Sequence, residues 1–159
     1  MTKQKHPGMT NAEFRRLGEY VRWMADAMGL RDWYFNLKHS PPLRDDESVD
    51  KGAGARIEIY WGKRYADISV CEEFRTMRPD RQRQFICHEL VHCHLDHLDS
   101  LTDNKLRDHM GEMHWQGWHM GFDLAFENAI DAIADAWARK LPLISWPKPK
   151  VKNGRDKRA

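Results

Sequence analysis

The sequence predicts a single α+β domain: an N-terminal helix, a small three-stranded sheet and two later helices. Three observations carry that expectation. Apolar residues recur at three- and four-residue spacing in an early and two later segments, as on one face of a helix. Strict alternation is confined to short runs between them. At 159 residues, with 41% hydrophobic and 31% charged side chains, the chain is long enough for one core without disulfide staples.

The elements follow in order. Thr10-Asn11-Ala12-Glu13 is a capping box, and Phe14, Leu17, Val21, Met24 and Met28 then form a stripe that ends before Gly29, so a helix is expected over about 10–28. Trp33, Phe35 and Leu37 alternate with polar neighbours until Ser40-Pro41-Pro42 stops the strand. LRDDESVDKGAG reads as an exposed loop. Ile57, Ile59 and Trp61, a turn at Gly62-Lys63-Arg64, and YADISV make a hairpin. Pro79 suits the first turn of a helix that runs through Leu101. Residues 100–120 mix Gly, Trp and His without a dominant period and read as irregular, with room for one short helix. From Phe122, the residues Phe126, Ile130, Ile133, Trp137 and Leu141 form a last stripe, closed by Pro142.

Domain limits and compartment come from composition. The net charge is +2, but the last thirteen residues, PKPKVKNGRDKRA, carry +5, which leaves −3 on the rest. Residues 148–159 are therefore expected to be a disordered basic tail, 1–9 a flexible N-terminus and 10–147 the domain. The tail is the one feature that suggests nucleic acid as a partner. No apolar run spans a bilayer and no signal-like segment opens the chain, so a cytoplasmic protein without membrane contact is expected. Three cysteines, two of them in one His-rich segment, read as reduced thiols.

That segment is QFICHELVHCHLDHLDS. His88-Glu89-Leu90-Val91-His92 is the pattern H-E-x-x-H, which has chemical meaning on a helix. At 100° per residue, His92 lies about 40° from His88, so both imidazoles leave one face and can share a tetrahedral zinc ion. Glu89 falls about 100° from His88, beside the metal, free to take a proton from a zinc-acidified water. The wheel places Leu90, Val91, Leu95, Leu98 and Leu101 on the buried arc. Cys87 and His94 fall inside that arc, with His97 at its edge, so these three do not complete the site. His94 is expected as a hydrogen-bonded core residue, and Cys93 as a buried or half-buried thiol.

A catalytic zinc site needs about three protein ligands. The extension H-x-x-G-x-x-H is absent, because Leu95 and Leu98 stand where Gly and His would be required. Glu127 and Asp131 share a helix face opposite the expected apolar stripe. Glu127 can reach the metal while Asp131, one turn on, hydrogen-bonds the outer nitrogen of a zinc histidine. Asp123, His114 and His119 are competing ligands. The two histidines are also candidates for stabilising the oxyanion of a tetrahedral intermediate.

H-E-L-V-H followed by E-x-x-x-D on a later helix resembles the gluzincin branch of zinc metallopeptidases, and the element order resembles its reduced single-domain members, the minigluzincins. The chain is also similar to small H-E-x-x-H proteins encoded by actinobacterial phages. There, too, a W-rich strand (here Trp33), a hairpin (Arg56 to Val70), R-P-x-x-x-R-Q (Arg78-Pro79 to Arg83-Gln84) and L-P-x-x-x-W-P (Leu141-Pro142 to Trp146-Pro147) recur. The resemblance spans roughly residues 10–147. It implies a zincin-like fold and one Zn2+ held by His88, His92 and Glu127, with Glu89 as general base and acid and Asp131 behind a ligand. It further implies an extended polypeptide substrate added along the strand at about 56–61, in the host cytoplasm if phage-encoded. The chain departs from the pattern in its long stretch between His92 and Glu127 and in lacking an obvious Tyr/His pair for the oxyanion. A zinc metalloendopeptidase is the expected activity. The alternatives are a catalytically idle zinc-binding scaffold or interaction protein, and a nucleic-acid-associated protease tethered by its tail.

Overall fold

The computed structural model describes residues 7–43, 53–60 and 62–147, apart from the side chains of residues 103 and 104. Residues 1–6, residues 44–52 of the loop expected over 43–54, Trp61 and the basic tail expected at 148–159 lie outside the described residues. The fold is α+β, with helix α1 (Asn11–Ala27), strands β1 (Tyr34–Leu37), β2 (Ala55–Tyr60) and β3 (Tyr65–Val70), and helices α2 (Pro79–Leu101), α3 (Arg107–Met110) and α4 (Glu112–Ala138). No helix among the described residues is long and apolar enough to cross a membrane.

Local chemistry sets the boundaries. Thr10 caps α1 by a complete capping box with Glu13, and the helix stops before Gly29, whose φ is +85°. The packed body begins upstream of residue 10, because Met9 is buried in the core. Pro79 sits in the first turn of α2, where its missing N–H costs nothing.

The sheet order is β1-β3-β2, with β1 parallel and β2 antiparallel to β3. Its inner face is Phe35 and Leu37, then Ala66, Ile68 and Val70, then Ala55, Ile57 and Ile59, all joining the core that α1, α2 and α4 complete. Lys38 N–H donates to the Ile68 carbonyl at 2.8 Å, so the backbone of Ile68 faces β1. Its cross-strand partner Ile57 therefore turns its own N–H and C=O away from β3, toward α2. Gly54 lets β2 lie close on that helix: a Cβ there would sit 2.4 Å from the Phe85 ring.

On the outer face, the buried carboxylate of Asp67 accepts from Asn36 Nδ2 at 2.8 Å and from the Tyr65 and Tyr60 hydroxyls at 3.0 and 3.1 Å, with Lys38 Nζ at 3.2 Å. Burial acts to raise its pKa, but these four donors outweigh it and leave the carboxyl below its ordinary value.

Residues 139–147 form a strap that closes the domain. Buried Gln82 is its anchor: Nε2 donates to the carbonyls of Phe74 and Arg75 at 2.6 and 3.1 Å, and Oε1 accepts from Trp146 Nε1 at 3.1 Å. Arg16, Tyr20 and Arg83 hold the carbonyls of Ser145, Pro142 and Leu141, and the Arg75 guanidinium lies 4.8 Å over the Trp146 ring.

Three expectations are corrected. Residues 100–120 are almost wholly helical: a π turn at Thr102–Leu106 continues α2 into α3, and only Gly111, at φ +73°, breaks the path into α4. The mixed composition there reflects few core contacts rather than lack of helix. In addition, Leu98 and Leu101 are 49% and 58% exposed and His94 is exposed, because α2 outruns the body and buries side chains only between Gln82 and Cys93. On α4 the buried stripe is Ile130, Ala134 and Ala138, with Ile133 and Trp137 exposed, so Glu127 and Asp131 lie beside the core stripe, not opposite it.

Replacing Gln82 with Leu removes a donor from the Phe74 and Arg75 carbonyls and the acceptor of the Trp146 indole N–H and should cost about 3 kcal/mol, read from urea unfolding, with a smaller loss for Trp146→Phe. Asp67 should stabilise fully above the pKa of an unfolded aspartate and lose that contribution as pH falls through its lower folded value. Asp67→Asn should accordingly flatten the decline in stability below about pH 4, measured as the unfolding midpoint across an acid titration.

Candidate metal centre

Two helices and one strand edge converge on a cleft of about 660 Å³, lined by Ala53, Ala55, Arg56, Ile57 and Ile59 on the β2 side, by α2 from His88 to Ser100, and by Glu127. The turn of α2 from Ile86 to Cys93 presents its apolar residues to the core and its two histidines to this cleft. α4 packs along α2 and delivers Glu127.

His88 Nε2 and His92 Nε2 lie 3.2 Å apart, and the Glu127 carboxylate oxygens lie 3.4 Å from the first and 3.8 Å from the second. For zinc bonds of about 2.05 Å at tetrahedral angles, neighbouring donor atoms stand about 3.3 Å apart. The two imidazole nitrogens stand at about that spacing, one Glu127 oxygen stands so from His88 and the other lies somewhat farther from His92, and one ligand atom from each residue falls within 4.8 Å of the others, a group able to hold a metal ion.

The two histidines are set for that use. His88 Nδ1 lies 2.9 Å from Asp131 Oδ1. An Nδ1–H donating there leaves the Nε2 lone pair facing His92 and Glu127. Burial, then the neighbouring His88, lowers the pKa of His92 to about 4, which keeps its ring neutral. Burial raises the carboxyl of Glu127, against the attraction of His88. Glu89 is only 6% exposed, and burial, opposed by His88 and by a hydrogen bond from the Ile57 N–H, pushes its carboxyl up to about 7. The edge of β2 is thus in direct contact with the carboxylate beside the candidate metal ligands.

No family model, curated protein or solved structure matches this chain.

His88, Glu89, His92, Glu127 and Asp131 are brought together. His114 and His119 are not: His114 is exposed, His119 packs on Trp115 and pairs with Asp123 at 2.9 Å, and neither lines the cleft. The geometry therefore gives no support to an oxyanion role for these two histidines or to Asp123 as a ligand. His94 and His97 face solvent. Missed from the sequence were Asp96, Asp99 and Ser100, whose four-, seven- and eight-residue offsets from His92 were a readable signal, and the Ile57 N–H, a backbone group that only strand pairing can locate.

Titration of metal-free protein with Zn2+ should show one site. Glu127→Ala should lose it, Asp131→Ala should weaken it roughly 10- to 100-fold, and His94→Ala and His97→Ala should leave it unchanged, all read by calorimetry.

Proposed function

We propose that this chain is a zinc-dependent endopeptidase with a zincin-like fold of the gluzincin type, acting on extended polypeptide. The observation that supports it most is the donor spacing of His88, His92 and Glu127, with Glu89 in the same cleft against a strand edge. A zinc ion bound by those three residues supplies Lewis acidity, polarising a carbonyl and acidifying water.

The chain's own groups account for the remainder. Ala55, Ile57 and Ile59 alternate with the residues that bond β3, so their backbone groups turn away from β3 toward the cleft; the Ile57 N–H is taken by Glu89, and the Ala55 and Ile59 groups are the ones that can pair with an extended peptide. Glu89 accepts the proton of the attacking water and returns it to the amine nitrogen as the C–N bond breaks. The Ile57 N–H holds that carboxylate at the strand edge. Asp131 fixes the orientation of His88 through Nδ1.

Glu89→Gln should keep the metal stoichiometry of the wild type and lose at least about 100-fold in cleavage rate on an unfolded casein substrate. Zinc-loaded wild type that cuts neither casein nor any peptide of a mixed library would overturn the peptidase reading in favour of an idle metal-binding scaffold.

A further inference from the structure

We infer that Phe126 is the positioning residue for His92, holding its imidazole by ring contact so that Nε2 faces the metal position. The inference rests on the metal centre of the reading above and gives it a second, apolar lock.

The two histidines are held differently. His88 Nδ1 lies 2.9 Å from Asp131 Oδ1, which fixes the rotation of that ring. The polar neighbours of His92 are His88 and Glu127, both met at Nε2, and its Nδ1 has no hydrogen-bond partner among the described residues. Rotation of an imidazole about its last side-chain bond is broad and roughly two-fold. A ring without a polar tether can therefore turn Nδ1 or a carbon to the place where Nε2 is required.

What meets the His92 ring from the other helix is Phe126, with ring centroids 6.3 Å apart at an interplanar angle of 58°. That lies within the range of a favourable aromatic pair. On α2 itself the His88 ring adjoins His92 at 4.9 Å and 66°. Phe126 is in turn braced. Phe122 stacks on it at 5.4 Å and 23°, and Trp118 stacks on Phe122 at 4.9 Å and 16°, in four-residue steps along α4. Trp115, which is buried, adjoins Trp118 at 5.6 Å and anchors the row. Phe126 cannot swing clear of His92 without giving up its stack on Phe122. One stretch of α4 thus serves the centre three times: Phe126 steadies one histidine, Glu127 supplies a donor, and Asp131 steadies the other histidine.

The test reads metal binding, not turnover. Metal-free wild type, Phe126→Leu, Phe126→Tyr and Phe122→Leu are titrated with Zn2+ by calorimetry and with Co2+ by visible absorption, which reports the geometry of the ligand set. Urea unfolding of the metal-free proteins gives the stability of each. Phe126→Leu keeps apolar bulk and removes the flat ring. It should lose roughly fivefold in Zn2+ affinity, the worth of one aromatic pair, and its Co2+ spectrum should change. Phe126→Tyr should restore both, and Phe122→Leu should show a smaller loss of the same kind. Wild-type affinity and an unchanged Co2+ spectrum in Phe126→Leu overturn the inference and leave the metal centre standing. Equal losses in Phe126→Leu and Phe126→Tyr, or losses that follow stability with no spectral change, also overturn it. If Phe126→Leu does not fold, Phe122→Leu decides by the same readouts. Wild type that takes up neither ion sinks the metal centre and this inference together, whereas the expected binding results without any peptide cleavage sink the peptidase activity alone.

Discussion

The middle of α2 is held from three directions at once, and the rest of the molecule depends on that constraint. Ile86, Cys87, Leu90 and Val91 are fully buried in the core, Glu89 is covered by β2, and α4 packs alongside. A short stretch of helix so enclosed cannot rotate or slide without exposing apolar surface. Its two histidines are thereby fixed relative to Glu127 on a separate helix. Precision at the candidate metal centre is thus a by-product of core packing, with the His88–Asp131 hydrogen bond as a polar lock between the two helices.

Much of this was legible in the sequence because the signals were local. A capping box and a 3.6-residue stripe located α1. Alternation located the strands, and the fixed spacing of His88, Glu89 and His92 located the helix face that lines the cleft. Glu127 and Asp131 were legible as a pair for the same reason: a four-residue offset puts both on one side of a helix, whatever that helix touches. The tie between Gln82 and Trp146 was not legible: Gln82 falls at an unspecified position of the R-P-x-x-x-R-Q run, and nothing local says that a glutamine amide and an indole will meet.

What failed did so where a wheel was drawn past the end of the body. Periodicity reports which side chains share a face, not whether another element is there to cover it. Leu98, Leu101 and His94 continue the buried arc of α2 in projection, yet the sheet and α1 end before reaching them. On α4 the error was one of phase: small alanines at 134 and 138 let α4 approach its neighbours closely, and the bulkier Ile133 and Trp137 were left outside. Size, not hydrophobicity alone, decided which stripe faced inward.

The closing strap also bears on how the chain is made. Trp146 docks on Gln82, and the Ser145 carbonyl binds Arg16, 129 positions earlier. During synthesis α1, the sheet and α2 all leave the ribosome before their last partners exist. Until residue 146 is free, Gln82 holds an unmet acceptor and one wall of the core stays open to water. Completion of the fold therefore waits for the strap to emerge, and a chain cut short of it would expose the apolar surface that quality-control proteases recognise.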